Sequence, residues 1–202
     1  MKLALLSVYD QDKPGLEKFA QELNNLNYHI ISSGGTAKYL QEHGIAVTDV
    51  EKITKQKPVL KHRVVTLTPQ IHGGLLATAD MQDELNMLGW PKIDLLYVTF
   101  YPLEAELYKP AGEANFDSCI EKTDIGGPTM VRSACKGGEV IVLTSKSQEQ
   151  QVLGWMKNGE PNRNAVLYAL RGRAERAVAD YIQLSARVYT EFGNLTVPEL
   201  HL

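Results

Sequence analysis

The sequence predicts an α/β fold: a parallel sheet in a three-layer arrangement, with helices on both faces. The first observation is a series of short, continuous apolar runs, which is typical of strands buried on both faces. The second is that segments with helical spacing of apolar residues separate these runs. The candidate strands are Leu3–Val8, Tyr28–Ser32, Val64–Leu67, Ile93–Thr99 and Val140–Thr144.

The chain begins with two β-α units. After Leu3–Val8, a break at Pro14–Gly15 precedes apolar residues at helical spacing, which predicts a helix. The second strand, Tyr28–Ser32, leads through a Ser-Gly-Gly-Thr turn into a short helix over Ala37–His43, which Gly44 ends.

A C-terminal helical segment follows the last candidate strand. Helices are predicted over Gln148–Lys157 and from about Asn164 to Phe192. The stretches Pro110–Asn115 and Asn158–Arg163 are interpreted as surface loops because they are polar and rich in helix-breaking residues.

Composition describes one ordinary domain. The 202 residues carry a net charge of −3, so we expect a single domain, with an α/β core over 1–145 and a helical tail over 146–202. This charge argues against a nucleic-acid-binding surface. No apolar run approaches the roughly 20 residues of a membrane span. Cys119 and Cys135 form no metal-binding pattern and fit a reducing compartment. The apolar N-terminus soon meets acidic residues with no cleavage site, so it is interpreted as a strand of a cytoplasmic protein.

The turn Ser32–Thr36 is a candidate anion site. It lies between a predicted strand and a predicted helix, where backbone N–H groups, Gly34, Gly35 and hydroxyl groups can surround a phosphate. A Gly-Gly turn also serves as a plain connection, and this one matches neither a Walker loop nor a Rossmann fingerprint. Both interpretations stay open on these residues alone.

A second candidate segment runs from Asp124 to Thr129, where a carboxylate precedes two glycines. From Thr129 onward the pattern predicts a helix, on which Arg132 and Lys136 stand four residues apart and share a face. Taken alone, the segment is better interpreted as a capped helix with an exposed basic stripe.

Three further residues stand at or near the ends of predicted strands: Arg63, His72 and Tyr101. Open α/β sheets bind ligands at the carboxyl ends of their strands, so these residues are expected near the two glycine turns. The alternatives are a surface tyrosine in a turn for Tyr101 and a hydrogen-bonded histidine at a helix start for His72.

Together, four segments closely resemble, in order, the motifs of the IMP cyclohydrolase domain of the bifunctional AICAR transformylase/IMP cyclohydrolase. The segments are Ser33–Lys38, Arg63–Gly74, Tyr101–Pro102 and Asp124–Lys136. The resemblance extends from Leu3 to near Phe192 and does not include the transformylase half, so we expect a stand-alone cyclohydrolase. It implies a methylglyoxal synthase-like fold.

The resemblance implies a ring closure that uses no cofactor and no metal. The carboxamide nitrogen of a formylated aminoimidazole carboxamide ribotide attacks the formyl carbon, and water leaves to give IMP. Such a reaction needs an anion site for the 5′-phosphate, acid/base groups and a donor to the oxygen of the tetrahedral intermediate. By the matching motifs, Asp124 and Lys136 are the acid/base pair, and Tyr101 binds or orients an oxygen.

The same motifs imply a set of substrate-binding residues. Those expected around the phosphate are Ser7, Lys13, Ser33, Gly34, Gly35 and Thr36. Those expected to place the rest of the substrate are Arg63, Thr66, His72, Gly126 and Gly127.

Three departures from the family pattern bear on the substrate. Val65 stands where the typical Arg-Val-Lys-Thr-Leu-His-Pro motif has lysine, and Thr68 stands where it has histidine. Thr99 replaces the asparagine of the usual Asn-Leu-Tyr-Pro-Phe, and the loop that carries Lys13 is two residues longer than usual. Loss of one donor to a developing oxyanion typically costs about 10²–10³ in rate, so the enzyme is expected to be slow rather than inactive.

Two other functions stay open. One is a paralogue that closes or dehydrates a related nucleotide in a specialised pathway. The other is a purine-nucleotide-binding module without turnover. In each case the partner is a small-molecule nucleotide, and for the cyclohydrolase a separate formyltransferase is an expected source of the formyl group.

The long helix also predicts a homodimer. Its apolar residues occupy more of its circumference than one sheet face covers, and they include Val166, Leu170, Tyr181, Leu184 and Val188. A symmetric second copy would bury that surplus, and the family that the chain resembles is dimeric. The alternative is that the chain's own strand layer and its preceding helix already cover these residues.

Overall fold

The computed structural model describes residues 2–61, 63–109 and 115–196, with side chains through residue 192. Its centre is a five-stranded sheet in the order β3-β2-β1-β4-β5, in which every paired strand is parallel. The strands are β1 Lys2–Ser7, β2 Tyr28–Ser32, β3 Val47–Asp49, β4 Leu95–Val98 and β5 Ile141–Leu143. The predicted α/β class with a parallel sheet is therefore confirmed.

Helices of very different lengths connect the strands. They are α1 Leu16–Asn25, α2 Gly34–Glu42, α3 Val50–Thr54, α4 Pro69–Leu76, α5 Gln82–Leu88, α6 Leu103–Leu107, α7 Phe116–Glu121, α8 Gly126–Gly137, α9 Glu149–Lys157 and α10 Arg163–Thr196. Short 3-10 turns cover Asp10–Asp12, Ala79–Met81 and Lys146–Gln148. None of the described helices is long and apolar enough to cross a membrane.

Helices cover the sheet on both faces, which completes the three layers. Side chains alternate along each strand, so Ala4 and Leu6 of β1 face one cluster and Leu5 faces the other. The first cluster packs against α1 and α9, and the second packs against α4 and α8. Burial on both faces explains why the strands read as continuous apolar runs.

One predicted strand is wrong. The segment 64–67 forms no ladder, and Val64 makes only an isolated antiparallel bridge with Val59. Its place in the sheet is taken by β3, a short edge strand in which Val47 pairs with Ile30. A short run of β-branched residues does not by itself distinguish a strand from an extended loop, and β3 is too short to show a pattern.

Two helices begin earlier than the sequence predicts, and both differences affect the site. Helix α2 begins at Gly34 rather than Ala37, and α8 begins at Gly126 rather than Thr129. Each glycine pair therefore lies in the first turn of a helix, where backbone N–H groups have no partner within the helix.

The long helix α10 confirms the predicted tail helix and passes along the edge of the sheet beside β5. Its first part contributes Leu170 to one core cluster, and its middle contributes Ala174 and Val178 to the other. Its last part forms a third cluster with α6 and α7, in which Tyr181 and Val188 are buried. The tail thus caps the sheet.

This packing covers the apolar residues named in the homodimer prediction within one chain, although Tyr168, Ile182 and Tyr189 of the same helix stay exposed. Leu170, Tyr181 and Val188 are only 5%, 8% and 0% exposed within one chain, and Val166 and Leu184 are partly buried. They are covered by α9 and the strands at one end and by α6 and α7 at the other. Dimerisation itself stays a prediction.

The predicted loop after α9 is confirmed as far as Asn162, since α10 begins at Arg163. Most of the other predicted loop, residues 110–114, lies outside the described residues.

Candidate functional site

The carboxyl ends of β1 and β4 form the point where the chain changes direction in the sheet. From β1 the chain proceeds to β2 on one side, and it later returns to β4 on the other side. The backbone N–H of Tyr9 donates to the Thr99 hydroxyl at 2.8 Å, and the Thr99 N–H donates to the carbonyl of Ser7 at 3.2 Å. Ligands of open α/β sheets bind at such a switch point, which makes this edge of the sheet the candidate site.

The first glycine turn lies at this edge. Gly34 has a φ of 53°, a left-handed conformation that favours glycine, and Ser33 at the N-cap makes no capping hydrogen bond through its side chain. The Thr36 hydroxyl already makes two hydrogen bonds within the chain: it accepts one from the Val8 N–H at 3.0 Å and donates one to the Val8 carbonyl at 2.9 Å. The predicted phosphate ligand Thr36 therefore positions the turn, and Ser33 and the glycine N–H groups remain the candidates for binding an anion.

Lys13 supplies the positive charge of this turn. The lysine is only 8% exposed, and its Nζ lies 2.7 Å from where a Cβ on Gly35 would stand. Its ammonium forms an ion pair with the exposed carboxylate of Asp10. A cation beside the N-terminus of a helix attracts an anion more strongly than the helix alone. We call the group Lys13, Ser33, Gly34 and Gly35 the anion turn.

The second glycine turn holds a carboxylate instead. Oδ1 of Asp124 accepts a hydrogen bond from the Gly127 N–H at 2.9 Å, and the N–H groups of Tyr101 and Gly126 also donate toward it. Burial raises the pKa of Asp124, and these backbone hydrogen bonds oppose the rise. An aspartate in this setting keeps its proton to a higher pH than an ordinary aspartate does, which makes Asp124 a candidate acid/base group. We call the group Asp124, Gly126 and Gly127 the carboxylate turn.

Tyr101 lies next to the carboxylate turn and is 46% exposed. Its ring packs edge-on against Tyr9, with 5.5 Å between the ring centroids. Partial burial raises the pKa of Tyr101, and the nearby negative charge of Asp124 raises it further. The phenol therefore stays protonated and is a hydrogen-bond donor facing the same space as Asp124.

The segment 63–68 reaches the site at only one of its predicted residues. The buried Thr66 lies against α8, with its Oγ1 3.1 Å from where a Cβ on Gly126 would stand. Arg63 forms an ion pair with Glu121 instead, and both side chains are mostly exposed. The structure therefore brings Thr66 to the carboxylate turn and leaves Arg63 paired at the surface.

His72 lies apart from the two turns. It is in α4, and its Nδ1 is 2.8 Å from the hydroxyl of Ser133 in α8. Burial lowers the pKa of His72, so the ring is neutral near pH 7. The Nδ1 contact fits the alternative that His72 is a hydrogen-bonded histidine packed between helices, while its Nε2 is buried without a hydrogen-bond partner.

Lys136 is also separated from Asp124. It lies in the last turn of α8, ten residues after Gly126, which places it about 15 Å along the helix axis at 1.5 Å per residue. There it lines an open groove of about 500 Å³ together with Arg132 and Glu175, which form an ion pair. One chain therefore does not assemble the predicted acid/base pair.

Sequence analysis missed three residues of this region. Tyr9 and Asp10 face Tyr101, and Tyr181 of α10 accepts a hydrogen bond from the Asp124 N–H at 2.8 Å. The longer first loop was a signal for Tyr9 and Asp10. Nothing local in the sequence indicates Tyr181, which is 57 positions from Asp124. Among the described residues, no group of three His, Cys, Asp or Glu residues is arranged to hold a metal ion.

Comparison with known proteins identifies the family. Residues 15–129 match the MGS-like domain, so this chain belongs to the MGS-like domain family. It is 38% identical to the bifunctional purine biosynthesis protein PurH of Chlorobium phaeobacteroides strain BS1, over 98% of this chain and 39% of that protein. The PurH of Lysinibacillus sphaericus is 39% identical over 94% of this chain and 37% of its own length.

These curated relatives confirm the resemblance that the motifs indicate, and the chain spans about two fifths of their length. A solved structure, described as the crystal structure of ForH, is similar over nearly the whole of both chains. It has a TM-score of 0.78 and 28% sequence identity, and the match covers 93% of this chain and 98% of ForH.

Proposed function

We propose that this chain catalyses the dehydrative ring closure of a formylated aminoimidazole carboxamide ribotide to IMP. Its similarity to proteins named for purine biosynthesis supports a role in that process. The observation on which the specific reaction depends is the presence of the anion turn and the carboxylate turn at one edge of the sheet, at the carboxyl ends of β1 and β4.

The anion turn binds the 5′-phosphate in this proposal. The phosphate would accept hydrogen bonds from the N–H groups at the start of α2 and from the Ser33 hydroxyl, and it would replace Asp10 as the anion beside Lys13. Ser7 is the last residue of β1, so it lies at the same edge of the sheet.

The carboxylate turn carries the proton transfers. The carboxamide nitrogen forms a bond to the formyl carbon, and Asp124 accepts a proton from that nitrogen and passes it to the formyl oxygen, which becomes a hydroxyl. The C–O bond then breaks while Asp124 passes the proton of the former formamide nitrogen to the departing oxygen, so that one water leaves and a C=N bond closes the purine ring. Tyr101 donates a hydrogen bond to this oxygen as its negative charge develops, because its raised pKa keeps the phenol protonated.

Lys136 takes part only if a second copy supplies it. About 15 Å of helix separate it from the carboxylate turn of its own chain. A symmetric dimer with the Lys136 groove against the partner's site would bring the acid/base pair together, which agrees with the predicted homodimer. Light scattering at micromolar concentration tests this, since a mass of one chain would contradict it.

Turnover is measured by mixing the purified protein with the formylated ribotide and following the purine absorbance. We expect a rate above spontaneous closure that Asp124→Asn removes. The matched control is Asp83→Asn, an exposed aspartate on α5. A rate no greater than spontaneous closure would contradict the proposal.

A second candidate, a nucleotide-binding module without turnover, is favoured by the distance between Lys136 and Asp124 and by Val65 in the lysine position. Calorimetry that shows tight IMP binding without turnover supports it over the enzyme. The variant Val65→Lys addresses the third possibility: faster closure of the purine substrate supports the cyclohydrolase, and an unchanged rate supports a paralogue with a different substrate.

A further inference from the structure

The feature of interest is a hydrogen-bonded link between the tail helix α10 and the carboxylate turn. The Tyr181 hydroxyl accepts from the N–H of Asp124 at 2.8 Å and donates to the carbonyl of Lys122 at 3.2 Å. A phenol can do both at once, because its oxygen is a donor and an acceptor. The Tyr181 side chain therefore hydrogen-bonds to the backbone of Lys122 and of Asp124, on either side of residue 123.

The ring of Tyr181 also supports the other half of the site. Its centroid lies 5.0 Å from that of Phe100, which directly precedes Tyr101 after β4. Phe100 in turn packs against Gly127, since a Cβ on that glycine would stand 3.1 Å from Phe100 Cδ1. Tyr181 is 8% exposed, so these contacts hold it in one place.

The charge state of Tyr181 suits this arrangement. Burial raises the pKa of Tyr181 to about 12, the hydrogen bond from the Asp124 N–H opposes this rise, and the proximity of the Asp124 carboxyl and of Tyr101 adds to it. The hydroxyl therefore keeps its proton at neutral pH and remains a donor to the Lys122 carbonyl. The titratable groups around Asp124 are Tyr181 from α10 and Tyr101 from the segment after β4, and Tyr9 and Asp10 face Tyr101 in turn.

We propose that Tyr181 is a positioning residue of the candidate site: it holds the backbone of residues 122–124 so that the Asp124 carboxyl stays aligned with the amides that bind it. This inference rests on the proposed function for its kinetic effect but not for its structural one. It also assigns a role to the tail helix, which extends beyond the residues of the MGS-like match.

The test compares Tyr181→Phe with the matched control Tyr97→Phe. Each variant removes one buried tyrosine hydroxyl, and Tyr97 loses its 2.9 Å hydrogen bond to Glu149 in the core away from Asp124. The ionisation of the Asp124 carboxyl is followed by carbon-13 NMR in each protein, with Asp124→Asn to assign the signal. Thermal unfolding reports the general loss of stability.

In Tyr181→Phe we expect the midpoint of the Asp124 titration to rise by about 0.5–1 pH unit. This shift corresponds to the loss of about one net hydrogen bond to the carboxylate. On the ribotide, kcat is expected to fall about 10-fold or more with KM nearly unchanged, because a shift of 1 Å in a reacting group costs up to about 10². Tyr97→Phe is expected to lower the unfolding temperature without moving the Asp124 midpoint.

An Asp124 midpoint that is the same in Tyr181→Phe and in the unmodified protein would overturn the inference, whatever the kinetics. Absent turnover in the unmodified protein would contradict the proposed function alone, because the NMR midpoint is measured without substrate. If Tyr181→Phe does not fold, amide hydrogen exchange in the unmodified protein decides: we expect the Asp124 N–H to be protected by its bond to Tyr181, and exchange as fast as that of an unprotected amide would overturn the inference.

Discussion

The two glycine turns of this protein are alike in sequence and opposite in charge. Each places two glycines in the first turn of a helix at the carboxyl edge of one parallel sheet. At α2 the neighbour is the ammonium of Lys13, and at α8 it is the carboxylate of Asp124. At α2 the chain's own anion is the exposed Asp10 carboxylate, which pairs with Lys13 and can be replaced by an anion from outside, whereas the N–H groups at α8 bind a buried carboxylate of the chain.

This difference shows why a glycine turn at a helix N-terminus does not define a function by itself. The side chain that approaches the glycines differs between the two turns, and it decides which role each turn is suited to. Gly35 leaves room for Lys13, and Gly127 leaves room for Asp124, whose Oδ2 lies 2.6 Å from where a Cβ would stand. The following predictions test whether the two turns are as separate as this comparison indicates.

The largest expected effect is at the carboxylate turn. Asp124→Asn should lower kcat by about 10²–10⁴, the usual contribution of a general acid/base, and leave phosphate affinity at the anion turn unchanged. Stability at neutral pH should be retained or increased. The reason is that a carboxyl whose pKa is raised in the folded state costs stability once pH exceeds that pKa. Steady-state kinetics, phosphate titration and thermal unfolding measure the three quantities, and weakened phosphate binding would contradict the separation.

The anion turn should respond in the complementary way. Lys13→Met removes a nearly buried charge, so KM for the ribotide and the dissociation constant of inorganic phosphate should rise by about 10- to 100-fold, the range for a charged hydrogen bond. Its kcat should change little. Lys18→Met, an exposed lysine on α1, is the control. A loss confined to kcat in Lys13→Met would place Lys13 at the reacting atoms instead.

The glycines themselves give a finer comparison. In Gly35→Ala the new Cβ meets the flexible end of Lys13, so the ammonium should move and KM should rise by about 3- to 10-fold with little loss of stability. In Gly127→Ala the Cβ meets Asp124, Val98 and Phe100 at 2.6–3.1 Å. The free energy of unfolding should therefore fall by about 1–3 kcal/mol, and kcat should fall as well. Equal stability of the two variants would contradict this packing.

The smallest effect is the pH dependence. Accepting a proton requires the ionised form of Asp124, so kcat should fall as pH drops through a pKa that lies above the usual aspartate range, because burial raises it. The affinity of the anion turn for phosphate should not fall over the same pH range. The pH profiles of kcat and of phosphate affinity measure both, and a kcat limb at the pH of an ordinary aspartate would contradict the raised pKa.

Much of the fold was predictable because a strand buried on both faces appears in the sequence as a continuous apolar run. The runs that became β1, β2, β4 and β5 are continuous and apolar. The edge strand β3 has only three residues, all half-buried, so its sequence shows no apolar run. The segment 64–67 resembled a strand more closely. The pairing of β3 with β2 is a long-range choice that no local pattern encodes.

The sequence by itself determined the class of fold, the two glycine turns and the residues that link the chain to its family. Only the tertiary structure decided which of those residues meet. The length of α8 separates Lys136 from Asp124 although both lie in one motif, and α10 brings Tyr181 to Asp124 from 57 positions away. Neighbours in sequence are spaced by the rise of the helix, whereas contacts between distant residues depend on how whole elements pack, so local patterns cannot reveal them.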